Sequence, residues 1–224
     1  MKHLKIFFVL VVVSCFSVNA NAAPGDVAIG LKAGTLGAGI EATFEVADRL
    51  NVRVGGNYFK VSSDVDVEGN DYDLDVKLNS FTALGDWFVT DSSFRVTAGL
   101  VLNNNKLTGT ALPSNAYEID DVIYSAAEVG TLDAEVDFRS VAPYLGLGWG
   151  NPLSDDTDWS FSLDLGVIFA GKPRLDVTST GGTLSNDPIL LENIAQVEQD
   201  FRDTDEIGIL KFYPVISVGV NYRF

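Results

Sequence analysis

The chain is poor in the residues that carry most metal, redox and proton chemistry. Its 224 residues include one Cys, one His and one Met, and these are Cys15, His3 and Met1. A chain that begins beyond them has no thiol, imidazole or thioether. That excludes disulfides, Cys/His metal centres, Ser-His-Asp and Cys-His nucleophiles and histidine pH switching. Cations are also scarce, with 15 Lys+Arg against 31 Asp+Glu and a net charge of −16. Phosphate backbones need clustered Lys and Arg, so no nucleic-acid partner is expected. Long apolar runs are missing beyond the N-terminus, where nothing approaches the ~18 residues of a membrane-spanning helix. The mean hydropathy is only +0.17.

The N-terminus has the build of an export signal. Lys2 and Lys5 form a basic start, Ile6 to Val13 an unbroken apolar stretch, and Ala20-Asn21-Ala22 an A-x-A cleavage site. Residues 1–22 therefore read as a signal peptide cleaved after Ala22, leaving residues 23–224 as one domain. Cleavage removes two lysines and no acid, which takes the charge from −16 to −18. A second reading stays open, because Val12-Val13-Ser14-Cys15 resembles the bacterial lipobox and would make Cys15 a lipidated residue.

What the rest of the chain does have is period two. Pro214, Ile216, Val218, Val220, Tyr222 and Phe224 share one face against Tyr213, Val215, Ser217, Gly219, Asn221 and Arg223. Trp159, Phe161, Leu163, Leu165 and Val167 alternate in the same way with Ser160, Ser162, Asp164, Gly166 and Ile168. Similar alternation covers residues 40–46, 50–59, 94–103 and 141–149. A short strand around 28–33 and a long one over 72–89 bring the expected total to eight. The long one changes phase after Asn79, which suggests a bulge. Connections 47–49, 90–93 and 151–158 are short, whereas 62–71, 107–133 and 171–212 are long. One segment departs from this pattern: between Asp187 and Lys211, Leu190, Ile194, Val197 and Phe201 follow helical spacing, with Asp187 as N-cap and Pro188 at N1.

Alternation alone does not say which face is inside. The polar face is made of Gly, Ser, Thr and Asn with isolated charges, which suits a narrow interior better than a watery exterior. Trp87, Phe88, Phe94, Trp149, Trp159, Tyr222 and Phe224 cluster beside the short turns, like an interfacial girdle. The last strand ends polar-x-Gly-x-x-hydrophobic-x-aromatic, carried by Ser217, Gly219, Tyr222 and Phe224. On that ending the chain, over roughly residues 26–224, resembles the small bacterial outer-membrane β-barrel proteins, the group that includes the OmpA transmembrane domain, OmpX and the opacity proteins. The resemblance implies an all-β, eight-stranded, antiparallel up-and-down transmembrane barrel with one amphipathic helix in the last long loop. It also implies outer-membrane localisation, contact with membrane lipid and lipopolysaccharide, and recognition of the C-terminal strand by the barrel-assembly machinery. The peptidoglycan-binding domain that follows OmpA-type barrels has no counterpart here, so anchoring to the cell wall is not implied.

Candidate sites are few. Glu41, Arg53, Arg95 and Asp164 share the inward face on four strands, where lone charges would be costly, so a closed polar network is expected, with a gate or pathway as the rival. Asp64, Asp66, Glu68, Gly69 and Asp75 imitate an EF-hand loop, but on strand-forming flanks that favour an acidic hairpin. The acids of the long loops (Asp71, Asp73, Glu118, Asp120, Asp121, Glu128, Asp200, Asp203, Asp205 and Glu206) read as solvated charge rather than as a cation bridge to lipopolysaccharide. Glu41 with Asp164 has no nucleophile or sugar platform beside it, so acid–base catalysis is not expected. No cofactor is expected, and the sequence sets no oligomeric state. The expected role is structural or surface-interactive and non-enzymatic. The alternative is a narrow channel for ions or small apolar molecules, as in OmpW-like barrels.

Overall fold

The computed structural model describes residues 27–67, 70–90, 92–111, 116–154, 157–204 and 211–224, without the side chains of 65–67 and 70–72. The signal peptide, Cys15, Glu68, Gly69, Asp205, Glu206 and the side chains of Asp66 and Asp71 lie outside the described residues.

β-Branched and aromatic residues alternating with small polar ones favour extended backbone, and thirteen strands form among the described residues. They are β1 (Val27–Gly34), β2 (Gly37–Ala47), β3 (Leu50–Val67), β4 (Asn70–Phe88), β5 (Phe94–Asn103), β6 (Lys106–Ala111), β7 (Ala116–Ile119), β8 (Val122–Ser125), β9 (Gly130–Asp137), β10 (Val141–Trp149), β11 (Trp159–Phe169), β12 (Arg174–Gly181) and β13 (Phe212–Arg223). Among the described residues two helices join them, α1 (Ala126–Val129) and α2 (Pro188–Asp203). All pairings among the described residues are antiparallel.

The pairings run β1–β2–β3–β4–β5–β10–β11–β13 and return from β13 to β1. Closure leaves no free edge in this ring, which removes the main aggregation hazard of an open sheet. The ring is uneven, because β3 and β4, with 18 and 19 residues, project far beyond their neighbours. Their outer halves carry a second sheet in the order β4–β6–β9–β12, and β7–β8 forms a separate hairpin.

The faces of the ring are inverted relative to a water-soluble protein. Val218 is 58% exposed and Phe161 77%, whereas Arg53 is 1% exposed and Asp86 and Arg95 are fully buried. Along β11 and β13 two outward aromatic pairs mark the limits of the apolar strip. Trp159 meets Tyr222 at 5.0 Å between centroids, and ten residues further on Phe169 meets Phe212 at 5.7 Å. Ten steps at ~3.3 Å, tilted by ~40°, rise about 25 Å, the height of the apolar band on a membrane barrel.

Several expectations need correction. The segments 107–133 and 171–212 are not plain loops, since they hold β6 to β9, α1, β12 and α2. These extra strands are short and gain their order from pairing with the outer half of β4 and with one another, which local periodicity does not register. Ser62–Asp71 is likewise not a loop, because β3 and β4 stay paired from Leu50↔Trp87 to Val67↔Asn70. That unbroken register also rules out the bulge expected near Asn79. What changes there is chemistry. Towards the short turns Phe81, Ala83 and Trp87 point outward, and Ser80, Thr82 and Asp86 are buried inside. Beyond Asn79 the outward face becomes Lys77 and Asp75, and the opposite face becomes Leu78, Val76 and Leu74. The EF-hand-like stretch forms this paired hairpin, which cannot wrap a cation as a helix-flanked loop does.

The helix forms where the N-cap and spacing place it, with the Asp187 side chain accepting from the Ile189 N–H at 2.9 Å. It ends at Asp203 rather than Lys211. Its buried Leu190 and Ile194 pack with Ala111, Tyr117, Ile119, Tyr124 and Val129 to make a core of its own for the outer sheet and hairpin. Helix α2 therefore covers the outer sheet. Glu198 accepts the Val177 N–H at 2.7 Å, satisfying a donor on the open edge of β12.

Candidate functional site

The interior of the ring divides into two layers. Nearest the short turns is an ionic layer in which Arg53, on β3, is the hub. Its Nη1 donates to Glu41 Oε1 at 3.0 Å, and its Nη2 donates to Asp86 Oδ1 at 3.1 Å and Asp164 Oδ1 at 3.0 Å. Arg95 Nη2 donates to Asp164 Oδ1 at 2.6 Å, and Arg95 Nη1 donates to the Gly150 carbonyl. Lys32 Nζ donates to Glu41 Oε2 at 2.7 Å, and Thr97 Oγ1 to Asp86 Oδ1 at 2.6 Å. Three cations thus face three carboxylates, and the layer is formally neutral.

All four residues singled out in the sequence, Glu41, Arg53, Arg95 and Asp164, meet in this layer. Two members were missed. Asp86 lies on β4, where the change of chemistry blurs the phase, although its alternation with the outward Phe81, Ala83 and Trp87 places it inside. Lys32 is among the isolated charges that alternation puts on the inward face, but nothing in the sequence says that it reaches Glu41. Two glycines make the arrangement possible. A Cβ on Gly148 would lie 2.7 Å from the Arg95 guanidinium, and Gly150 turns the chain at φ +99° to present its carbonyl.

Towards the long-loop end the interior turns apolar. Leu36, Leu84, Val101, Ala142, Tyr144, Ile168, Ala170 and Val215 are buried together. Between the two layers a cavity of about 20 Å³ remains, room for about one water, bordered by Arg53, Asn57, Tyr144, Asp164 and Ser217. At the short-turn mouth Asn51 Nδ2 donates to Asn151 Oδ1 at 3.3 Å, and Leu153 is tucked inward.

At the C-terminal strand Ser217 and Gly219 face inward and Tyr222 and Phe224 outward, the two rings 5.0 Å apart. A Cβ on Gly219 would meet Ser162 Oγ at 2.7 Å, so glycine there allows a close approach between β13 and β11.

No protein-family model and no curated protein matches the chain. Solved structures do, and two of them come from one organism. CarO2 of Acinetobacter baumannii superposes with a TM-score of 0.55 at 19% identity, covering 89% of this chain and 98% of that one. CarO of the same organism gives 0.52 at 20% identity, covering 90% and 98%. Both are outer-membrane β-barrel proteins. The chain shares their antiparallel β-barrel fold. At this identity the likeness concerns architecture alone. It agrees with the outward apolar faces and buried charges of the barrel.

Proposed function

We propose that the circuit β1–β2–β3–β4–β5–β10–β11–β13 is an eight-stranded transmembrane barrel of the bacterial outer membrane, and that it serves as a closed, non-enzymatic mount for the outer sheet. Residues 1–22 direct export and are removed after Ala22. The short turns then face the periplasm, and β6–β9, β12 and α2 stand at the cell surface. Membrane lipid and lipopolysaccharide surround the apolar band, and the barrel-assembly machinery reads Ser217, Gly219, Tyr222 and Phe224.

The observation that carries the non-conducting reading is the filled interior. A neutral ionic layer and an apolar layer stack across the ring with about 20 Å³ between them, and a wider recess of about 260 Å³ opens at the short-turn mouth beside Asn51, Phe88 and Leu153. Eight strands give an interior just wide enough for side chains, which agrees with that. The experiment is planar-bilayer recording on purified protein whose unboiled and boiled gel mobilities differ. A silent bilayer is expected, and a stable unitary conductance would favour the narrow-channel alternative instead.

A further inference from the structure

The outer sheet carries an arrangement of charge that solvation alone does not explain. On the face continuous with the lipid-facing side of the barrel, Lys60 on β3 lies directly opposite Lys77 on β4, and Lys77 directly opposite Lys106 on β6. The same row continues through Asp137 on β9 to Arg174 on β12. The next row outward is Ser62, Asp75, Thr108, Glu135 and Asp176, and the one beyond is Asp64, Asp73, Thr110, Asp133 and Thr178. Four cations and one acid therefore line the membrane-proximal edge, and six acids with no cation lie above.

Directly opposed side chains sit ~5 Å apart, and like charges so placed oppose sheet formation. A chain with only 15 cations against 31 acids nonetheless sets three lysines side by side. The outer two lean on acids of the next row, Lys106 on Glu135 and Lys60 on Asp75 at 3.7 Å. Both pairs are about half exposed and contribute little on their own. Lys77 stands between them, exposed.

The height of the row decides what it meets. Leu50 pairs with Trp87 at the short-turn end, and Lys60 and Lys77 lie ten residues further along the same strand pair. At ~3.3 Å per residue and a tilt of ~40° that is about 25 Å, the thickness of the apolar band. The outward face below the row is Tyr58 and Phe81, both exposed. The cations thus begin where the hydrocarbon ends.

We infer that Lys60, Lys77 and Lys106 form a binding row for the phosphate groups of a phosphorylated outer-leaflet lipid, its acyl chains lying against the apolar strip below. The inference rests on the transmembrane reading proposed above. A phosphate placed over Lys77 relieves the repulsion along the row, and the acids above exclude anions from the outer part of the sheet. Each lysine near an anionic surface is worth about fivefold in affinity.

The test uses purified full-length barrel in phosphatidylcholine vesicles, alone, with lipid A, or with dephosphorylated lipid A. Wild-type protein is expected to retain lipid A in native mass spectra and to lose its compact unboiled band at a higher temperature when lipid A is present. Dephosphorylated lipid A should do neither. Lys77→Gln should lower retention about fivefold, and the combined K60Q/K77Q/K106Q variant on the order of 100-fold. In phosphatidylcholine alone the triple variant should be at least as stable as wild type, because repulsion has been removed. Equal lipid A retention by wild type and triple variant overturns the inference, and so does an equal thermal shift with inorganic phosphate in place of the lipid. A protein lacking a heat-modifiable band in every vesicle would instead refute the membrane reading itself.

Discussion

Replacing Arg53 by Met probes the ionic layer at its hub. Arg53 touches Glu41, Asp86 and Asp164 at 3.0–3.1 Å and is 1% exposed. Without it, three buried carboxylates share Lys32 and Arg95, so one negative charge has no counter-ion. Removing one partner from a buried ion pair costs about 3–5 kcal/mol, a large part of the 5–15 kcal/mol that ordinarily separates folded from unfolded protein. The assay is urea unfolding in lipid vesicles, followed by loss of the compact unboiled band. Asp86→Asn should also destabilise, but the double variant R53M/D86N restores neutrality and should fall short of the sum of the singles by at least ~1 kcal/mol. The reasoning is refuted if R53M unfolds within ~1 kcal/mol of wild type. Unchanged unfolding with a new ion current would assign the layer to a permeation path.

Truncating Leu190 to Ala, a fully buried side chain in the outer core, should cost about 2–5 kcal/mol locally, raising amide exchange in α2 and β12 while the compact band of the barrel persists. Glu198→Ala leaves the Val177 N–H without its acceptor, so that amide should exchange faster than in wild type. Glu128 accepts from the Ser125 N–H and Oγ, which lower its pKa below the ordinary 4.5. Its contribution is therefore complete above that ordinary value and is lost as pH falls through the lowered one. The protection factor of the Ser125 amide, the slowing of its exchange relative to an unstructured amide at the same pH, should fall in acid, and Glu128→Gln should flatten that dependence. Gly150→Ala must place a Cβ 2.0 Å from the Phe161 carbonyl at φ +99°, so a lower unfolding midpoint is expected.

The strands of the ring were legible because an apolar outward face and a packed interior impose strict alternation, as Trp159–Phe169 and Phe212–Arg223 show. Four network members could be placed for the same reason: an isolated charge among small inward residues stands out. Asp86 did not, because β4 exchanges its apolar face where it leaves the band, and a strand with two phases reads as an irregular one. The outer sheet was illegible for a related reason. Its strands β6, β9 and β12 have 6 to 8 residues, and they exist through pairings between distant parts of the chain. Helix α2 was legible through Asp187, Pro188 and its spacing. Its docking site was not, because the partners Tyr117, Tyr124 and Val129 become neighbours only in the fold. The apolar layer inside the barrel was not legible, because alternation puts Val101 and Ile168 on the inward face without showing that they meet Leu84 at one depth.

The orientation of the barrel faces can be tested without altering the protein. All three tryptophans, Trp87, Trp149 and Trp159, point outward from the ring near its short-turn end. In vesicles of brominated lipid their fluorescence should be strongly quenched and should respond weakly to aqueous iodide. Strong iodide quenching with no effect of the brominated chains would contradict a lipid-facing exterior and the membrane barrel with it.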